Sequence, residues 1–302
     1  GYGDFRLRHE STFDQSNGED RHRERMRVRL GGRYAWSEDT WTELRLTSTS
    51  GDANNPHWDF GDDSDGTGEG LNGIPVVFDR VNLGWNVSDS LTLQVGKFGH
   101  VFSGNPAFGD LVWDGDIQPS GAAAVYTGGG ALDWDLRLVE YRAVENSTGS
   151  DASMFGAQTN LGFGFGSGMD LDLASSWSNW RGLTSSGASA GSGAGNTPTD
   201  GFAIWDTVLA LNLDGGPWRE TVLSIQYMNN LDDDAGEDTG MAFGARIGTS
   251  GYEGAWNAFL LSYDLDANAV FAPVAQDDTP IGNTGTGTGM SGLIAGYRYW
   301  CS

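Results

Sequence analysis

One cysteine, Cys301, stands in 302 residues, so the chain can form no internal disulfide and no cysteine-based metal site. Lysine is almost missing as well: Lys97 is the single lysine among 17 basic residues, and the other sixteen are arginine. Basic charge as a whole is scarce against 41 acidic residues, and a formal charge of −24 argues against a nucleic-acid partner. No window of about 18 consecutive apolar residues occurs, which excludes a transmembrane helix. It does not exclude a membrane, because a barrel strand needs only about 10 residues, half of them facing lipid. Only 8 prolines accompany 47 glycines, 12 Trp, 9 Tyr and 14 Phe, a composition suited to many short strands joined by glycine-rich turns. No charged and then hydrophobic leader follows Gly1, and the chain is read as a mature form from which a signal peptide has been removed.

The basic charge that is present is concentrated: nine of the sixteen arginines fall at or before residue 45. In RHRERMRVRLGGRY, residues 21–34, arginine occupies positions 21, 23, 25, 27, 29 and 33. A helix would scatter these side chains around its circumference, whereas a strand sends alternate residues to opposite faces. One face then carries Arg21, Arg23, Arg25, Arg27, Arg29 and Arg33, and the other Met26, Val28, Leu30 and Tyr34. Like charges in a row cannot be packed unpaired into a dry core. Lipid against the apolar face and water inside a closed barrel satisfy both faces. A solvated edge strand or a nucleic-acid patch is the plainer reading of this stretch alone.

Residues 4–12 alternate before it, with Phe5, Leu7 and His9 opposed to Arg6, Arg8 and Glu10. A turn at 37–39 leads to a third strand with Leu44 and Leu46 outward and Glu43 and Arg45 inward. Residues 50–75 are too long and acidic for a turn and read as a surface loop. Alternation resumes over 76–87, with Arg80 and Asn82 inward, turns at 88–90, and continues through Leu91, Leu93 and Val95. It breaks over 99–120 for another long loop. Further strands are read at 121–127, around Leu132 to Leu138, at 153–163, 169–180, 202–213, 218–228, 241–247, 255–265 and 290–300. Short turns at 128–130, 164–168, 214–217 and around Gly251 alternate with connections at 145–151, 181–200, 231–240 and 266–289; residues 181–200 are Gly/Ser-rich.

The total is 14 strands, an even number, with short and long connections in alternation, as in outer-membrane barrels with short periplasmic turns and long external loops. Trp36, Trp41, Trp85, Trp134, Trp218, Trp256, Tyr297, Tyr299 and Trp300 lie within a few residues of a short turn or of the C-terminus, the place of an interfacial aromatic belt. The sequence therefore predicts an all-β fold, a transmembrane antiparallel β-barrel, with residues 1–302 as one domain. A barrel of this size lies nearer the channel-forming than the side-chain-filled end of the range. Its polar inner face predicts a hydrated lumen for passive diffusion of small hydrophilic solutes and ions.

The loop at 99–120 is the third long one. It contains NPAFGDLVWDGDIQPSGAA, and its Asp110, Asp114 and Asp116 are placed to face the arginine row. With Gly96, Lys97 and Phe98 before it, the LVWDGDI segment resembles the family of bacterial putative porins, in which such a motif follows a strand ending in Gly-Lys-aromatic. The resemblance is specific to this region and covers the rest only as a barrel pattern. It implies a trimeric outer-membrane porin whose third external loop folds into the lumen as the constriction. The C-terminus departs from the usual aromatic end, since Cys301 and Ser302 follow Trp300. Opposed arginines and carboxylates across a narrow gap imply a transverse field that acts on selectivity; alternatively the acidic loop merely neutralises the row. The row favours anions and the outer loops favour cations, so the sign of selectivity stays open.

The acidic runs DFGDDSD (59–65) and LDDDAGED (231–238) carry oxygen ligands of the kind Ca²⁺ takes, but neither has the EF-hand spacing. They read as solvated loops, with divalent bridging to lipopolysaccharide as an expectation. His9, His22, His57 and His100 have no metal-type spacing, the glycine repeat near 285 follows no βαβ unit, and no catalytic grouping emerges. The sequence predicts no enzyme, no resident cofactor and no metal. Two other readings remain open: a soluble or surface-attached, calcium-dependent β-sandwich lectin or adhesin, and a barrel transporter specific for one substrate.

Overall fold

A computed structural model describes residues 1–13, 20–49, 56–61, 73–109, 111–130, 132–166, 168–185, 196, 199–214, 220–232, 236–250, 252–276 and 288–300. The described residues hold no helix and fifteen strands: β1 (Tyr2–Thr12), β2 (Arg21–Ala35), β3 (Thr40–Ser48), β4 (Trp58–Asp59), β5 (Val76–Asn86), β6 (Leu91–Lys97), β7 (Ser120–Gly128), β8 (Asp133–Val144), β9 (Ala152–Gly164), β10 (Met169–Arg181), β11 (Gly201–Leu213), β12 (Thr221–Asn230), β13 (Thr239–Gly248), β14 (Trp256–Leu265) and β15 (Met290–Tyr299). All belong to one antiparallel sheet rather than two stacked ones. Each strand from β1 to β15 pairs with the next, and only β4 lies off this path.

The fourteen strands of the path correspond to the fourteen alternating segments of the sequence; β4 was hidden in residues read as surface loop. It continues the line of β3, which pairs with Arg29–Ala35 of β2, whereas β4 pairs with Arg25 and Met26. Connections 36–39, 87–90, 129–132, 165–168, 214–220 and 249–255 gather at one end of the sheet, and the longer ones mostly at the other. Tyr2 (opposite Gly31) and Tyr299 (opposite Trp256) both lie at the short-turn end, but no ladder joins β1 to β15 among the described residues. The sheet is thus not closed, which leaves two strand edges with unpaired backbone groups.

Its two faces invert the polarity of a soluble protein. Phe5, Leu7, Leu30, Leu44, Phe78, Val81, Leu83, Leu223, Phe243 and Leu293 are exposed on one face. Arg25, Arg29, Arg45, Asn82, Gln158, Asp206, Gln226 and Asn257 are buried on the other. Period-2 alternation in every strand produces this, because neighbouring side chains leave the pleat in opposite directions. An apolar outside around a polar inside suits hydrocarbon outside and water within.

Exterior aromatics form two belts. Near the short turns Tyr34 meets Trp36 (4.8 Å between ring centres), Tyr126 meets Trp134 (5.5 Å) and Trp256 stacks on Tyr297 (6.2 Å). Toward the other end Phe155 meets Trp177 (6.2 Å) and Trp205 meets Tyr227 (6.4 Å), a belt not anticipated from the sequence. Met169 to Trp177 spans about 26 Å along β10 at ~3.3 Å per residue, comparable to an apolar band about 25 Å tall. Trp41 is a correction to the first belt: it is buried on the inner face, over Gly84, where a Cβ would strike the indole ring. Trp218 lies outside the described residues, and no belt contact is described for Trp300.

Candidate functional site

The connection between β6 and β7, residues 98–119, runs through the space the sheet encloses. On one side Arg27 and Arg29 of β2 reach Asp116 at 3.2 and 2.8 Å. Next to them Arg80 of β5 donates to Gln118 (2.7 Å), and Lys97 donates to the Gln118 carbonyl (2.6 Å). Farther round, Arg137 of β8 donates to the Val101 carbonyl (2.5 Å), and the Gln158 amide of β9 brackets the Ser103 backbone (2.6 and 2.9 Å). Opposite, Asn105 bonds Gln226 (3.1 Å) and Ser224 (2.8 Å) of β12, while Leu111 packs with Met228, Ala242, Leu261 and Tyr263. One segment thus touches strands from β2 to β14, so the sheet curves around it. Glycine makes room at two contacts: a Cβ at Gly156 would meet the Phe102 ring, and one at Gly244 would meet Ala107.

The arginine row lies on this inner face, matched almost residue by residue with carboxylates. Arg23 donates to Glu10 (2.6 Å) and lies 3.4 Å from Asp59; Arg25 reaches Asp59 at 2.7 Å and Glu10 at 3.5 Å. Arg27 reaches Asp4 at 2.9 Å, and Arg8 lies 3.0 Å from Glu10. Arg45 holds Asp79 with two nitrogens (2.9 and 2.6 Å), and Arg80 lies 3.3 Å from Glu43. Arg6 sits opposite Arg27 in the β1–β2 register. Two rungs differ: Arg21 is largely exposed at 3.8 Å from Asp59, and Arg33 lies over the Trp41 ring at 3.7 Å.

Of the three loop aspartates singled out in the sequence, Asp116 meets the row. Asp114 is buried within the loop, where its Oδ1 accepts from the Asp116 N–H (2.7 Å) and its own N–H donates to the Val274 carbonyl (2.7 Å). Asp110 lies outside the described residues. Strict alternation predicts Asp79 on the outer face. A bulge between Arg45 and Leu46 sets the extra residue Asp79 against Arg45 and brings it inside beside Arg80. Asp4 and Glu10 share a face with Arg6 and Arg8 by simple alternation and were readable; Asp59, concealed in an acidic run, was not.

Two loop histidines are buried here. His57 precedes β4, and burial together with the charges of Arg25, Arg6 and Arg27 pushes it down to about 4. His100 stacks on Trp113 (4.0 Å between ring centres) and bonds the Tyr141 hydroxyl (3.0 Å); burial, with Arg137 nearby, pushes it down to about 3. Both are neutral near pH 7.

A second long connection also enters. Residues 266–276 pack Phe271 against Trp180 and Phe202, and Val270 and Ala275 join the Leu111 cluster. Apolar side chains thereby fill the half of the interior nearest the long connections along β8–β15. The apolar run AVFAPVA at 269–275 was a readable signal for this, masked only by reading 266–289 as one polar, glycine-rich loop. Among the described residues no group of three or more His, Cys, Asp or Glu is placed to hold a metal ion. Residues 62–65 of the first acidic run and 233–235 of the second lie outside the described residues.

A family model described as "Putative porin" matches residues 2–180. Among curated proteins none matches the sequence. Among solved structures, OprB of Pseudomonas putida at high pH is similar over 88% of this chain and 74% of that one, with a TM-score of 0.54 and 10% identity. OmpF of Salmonella typhi in complex with daunomycin is similar over 86% and 76%, with a TM-score of 0.50 and 9% identity. An anion-selective porin from Comamonas acidovorans is covered over 99% of both chains, with a TM-score of 0.47 and 11% identity. At these identities the first two establish the fold, that of the outer-membrane porin barrels.

Proposed function

The chain belongs to the putative porin family, and on that premise we propose that it forms a water-filled channel for passive diffusion of small hydrophilic solutes and ions. Family and fold together place it in the bacterial outer membrane. In the proposed mechanism solutes pass through the lumen beside the 98–119 loop, along the wall where Asp116 joins Arg27 and Arg29. Fixed opposite charges set side by side in a wetted wall exert a local field, which favours polar solutes that can align with it and disfavours apolar ones. The channel works as a homotrimer in outer-membrane lipid, with lipopolysaccharide around its long loops, and needs no enzyme activity, resident cofactor or metal.

The observation that supports this most is the inverted sheet: charged and amide side chains inward around an inserted loop, large apolar side chains outward. A sandwich lectin would bury its apolar residues between two sheets, whereas the described residues form a single sheet. Planar-bilayer recording of the purified protein tests the reading. Stable, salt-dependent conductance steps are expected; their absence at protein levels that give steps with a known porin would refute it.

A further inference from the structure

A cavity of about 310 Å³ lies between the 98–119 loop and β9–β12. Its lining includes Arg80, His100, Trp113, Ser176, Asp206 and Gln226. Asp206 is 6% exposed, yet it lacks what neutralises the carboxylates of the arginine row. Asp4, Asp59, Asp79, Asp116, Glu10 and Glu43 each have an arginine within 4 Å. Among the described residues the Asp206 carboxylate has a single hydrogen bond, accepted by Oδ1 from the Gln226 amide at 2.8 Å. That amide is held in place from behind, because Asn105 donates to its oxygen (3.1 Å) and Ser224 in turn donates to Asn105 (2.8 Å). Directly across the β10–β11 ladder stands Ser176, whose hydroxyl has no hydrogen-bond partner among the described residues.

A desolvated carboxylate without a counter-charge is costly, and the cost is relieved when a cation supplies it. Arg80 on the far wall does not supply it, since its own charge faces Glu43 at 3.3 Å. A primary ammonium has three donors, enough for the second Asp206 oxygen and the Ser176 hydroxyl together. Phe102, Val112 and Ile117 in the same lining offer apolar surface for a tail. A second cavity of about 520 Å³ shares Ser103 and Gly104 with the first and is lined by Asp133, Asp135 and Asp172. Arg137 in the same lining pairs with Asp135 at 2.8 Å, which leaves Asp133 and Asp172 to favour cations there.

We propose that the cavity at Asp206 and Ser176 is a binding station for small organic molecules that carry a protonated amine. It rests on the porin reading to the extent that the lumen must be reachable from solution. The test is wild-type channels in a planar bilayer exposed to n-butylammonium and, separately, to the neutral isostere 1-butanol, with calorimetric titration of the same amine into detergent-solubilised protein. The amine is expected to produce concentration-dependent interruptions of the current and a binding heat, while the alcohol gives neither. Asp206→Asn should weaken the amine at least tenfold and Ser176→Ala severalfold. Equal effects of amine and alcohol, or an affinity unchanged in both variants, would overturn the proposal. Conducting channels with no response to the amine and no binding heat would defeat the station and leave the porin intact. Binding heat without conductance would do the reverse.

Discussion

Arg29 and Asp116 meet at 2.8 Å although eighty-seven positions separate them, one on the second strand and the other at the tip of the inserted loop. The contact fixes the loop against the wall and sets opposite charges side by side in the interior. Neutralising Asp116 leaves Arg27 and Arg29 without that partner. Asp116→Asn is therefore expected to move the reversal potential in a KCl gradient toward anion preference. A single charge at 4 Å acts on an ion with about 1 kcal/mol in water, enough for a several-fold change in the permeability ratio.

The converse substitution carries the opposite sign. Replacing Arg25, Arg27 and Arg29 together by Gln removes three positive charges from the same wall and should shift the reversal potential toward cation preference. An unchanged potential in the same gradient would mean that ions do not pass the row.

Arg45 and Asp79 form a buried pair with three nitrogen–oxygen contacts between 2.6 and 3.1 Å. Removing one member leaves the other charge uncompensated, at a cost of about 3 kcal/mol. Asp79→Asn should lower unfolding stability by that order in urea titrations of the lipid-reconstituted protein. Arg142→Gln, which breaks an exposed pair with Asp151, should change it by less than about 1 kcal/mol.

His57 gives stability a pH dependence of definite sign. Its folded-state value of about 4 lies below the 6.5 of an unperturbed imidazole, so between these values the unfolded chain binds the extra proton. Stability contributed by the neutral ring is complete above pH 6.5 and is lost as pH falls toward 4, by on the order of 3 kcal/mol. His57→Asn should flatten that part of the stability–pH curve measured by urea unfolding.

The alternation of residues 4–12, 21–34 and 202–213 was legible because each strand has one polar and one apolar face, and period 2 needs no knowledge of partners. What pairs with what was less so. Asp79 escaped because a bulge breaks the period, whereas Trp41 shares the inner face of Glu43 and Arg45 by plain alternation and only its nearness to a turn drew it into the belt; Gly84 and Arg33 receive it inside. The break in pattern at 99–120 announced a long loop, and the resemblance carried by Gly96, Lys97, Phe98 and LVWDGDI implied that it folds inward. Which of its aspartates meets the arginines depends on contacts across the interior, and the entry of Phe271 and Val274 depends on the same long-range packing.

The unpaired edges of β1 and β15 bear on closure. Backbone groups facing hydrocarbon without partners cost several kcal/mol each, so in a membrane the two strands are expected to pair. With Cys301→Ser as background, Leu7→Cys should form a disulfide with one of Leu293→Cys, Ala295→Cys or Tyr297→Cys under mild oxidation in vesicles. Failure of all three would indicate that the edges stay apart.

Thiol accessibility along β2 asks most directly whether water lies on the arginine side and lipid on the other. In the Cys301→Ser background, single cysteines are placed at positions 25 to 30, and the protein in lipid vesicles is treated with a charged, membrane-impermeant thiol reagent. Arg25→Cys, Arg27→Cys and Arg29→Cys should react and reduce conductance, whereas Met26→Cys, Val28→Cys and Leu30→Cys should stay unmodified. Reaction at the even positions, or no alternation at all, would contradict an aqueous passage bounded by the arginine face.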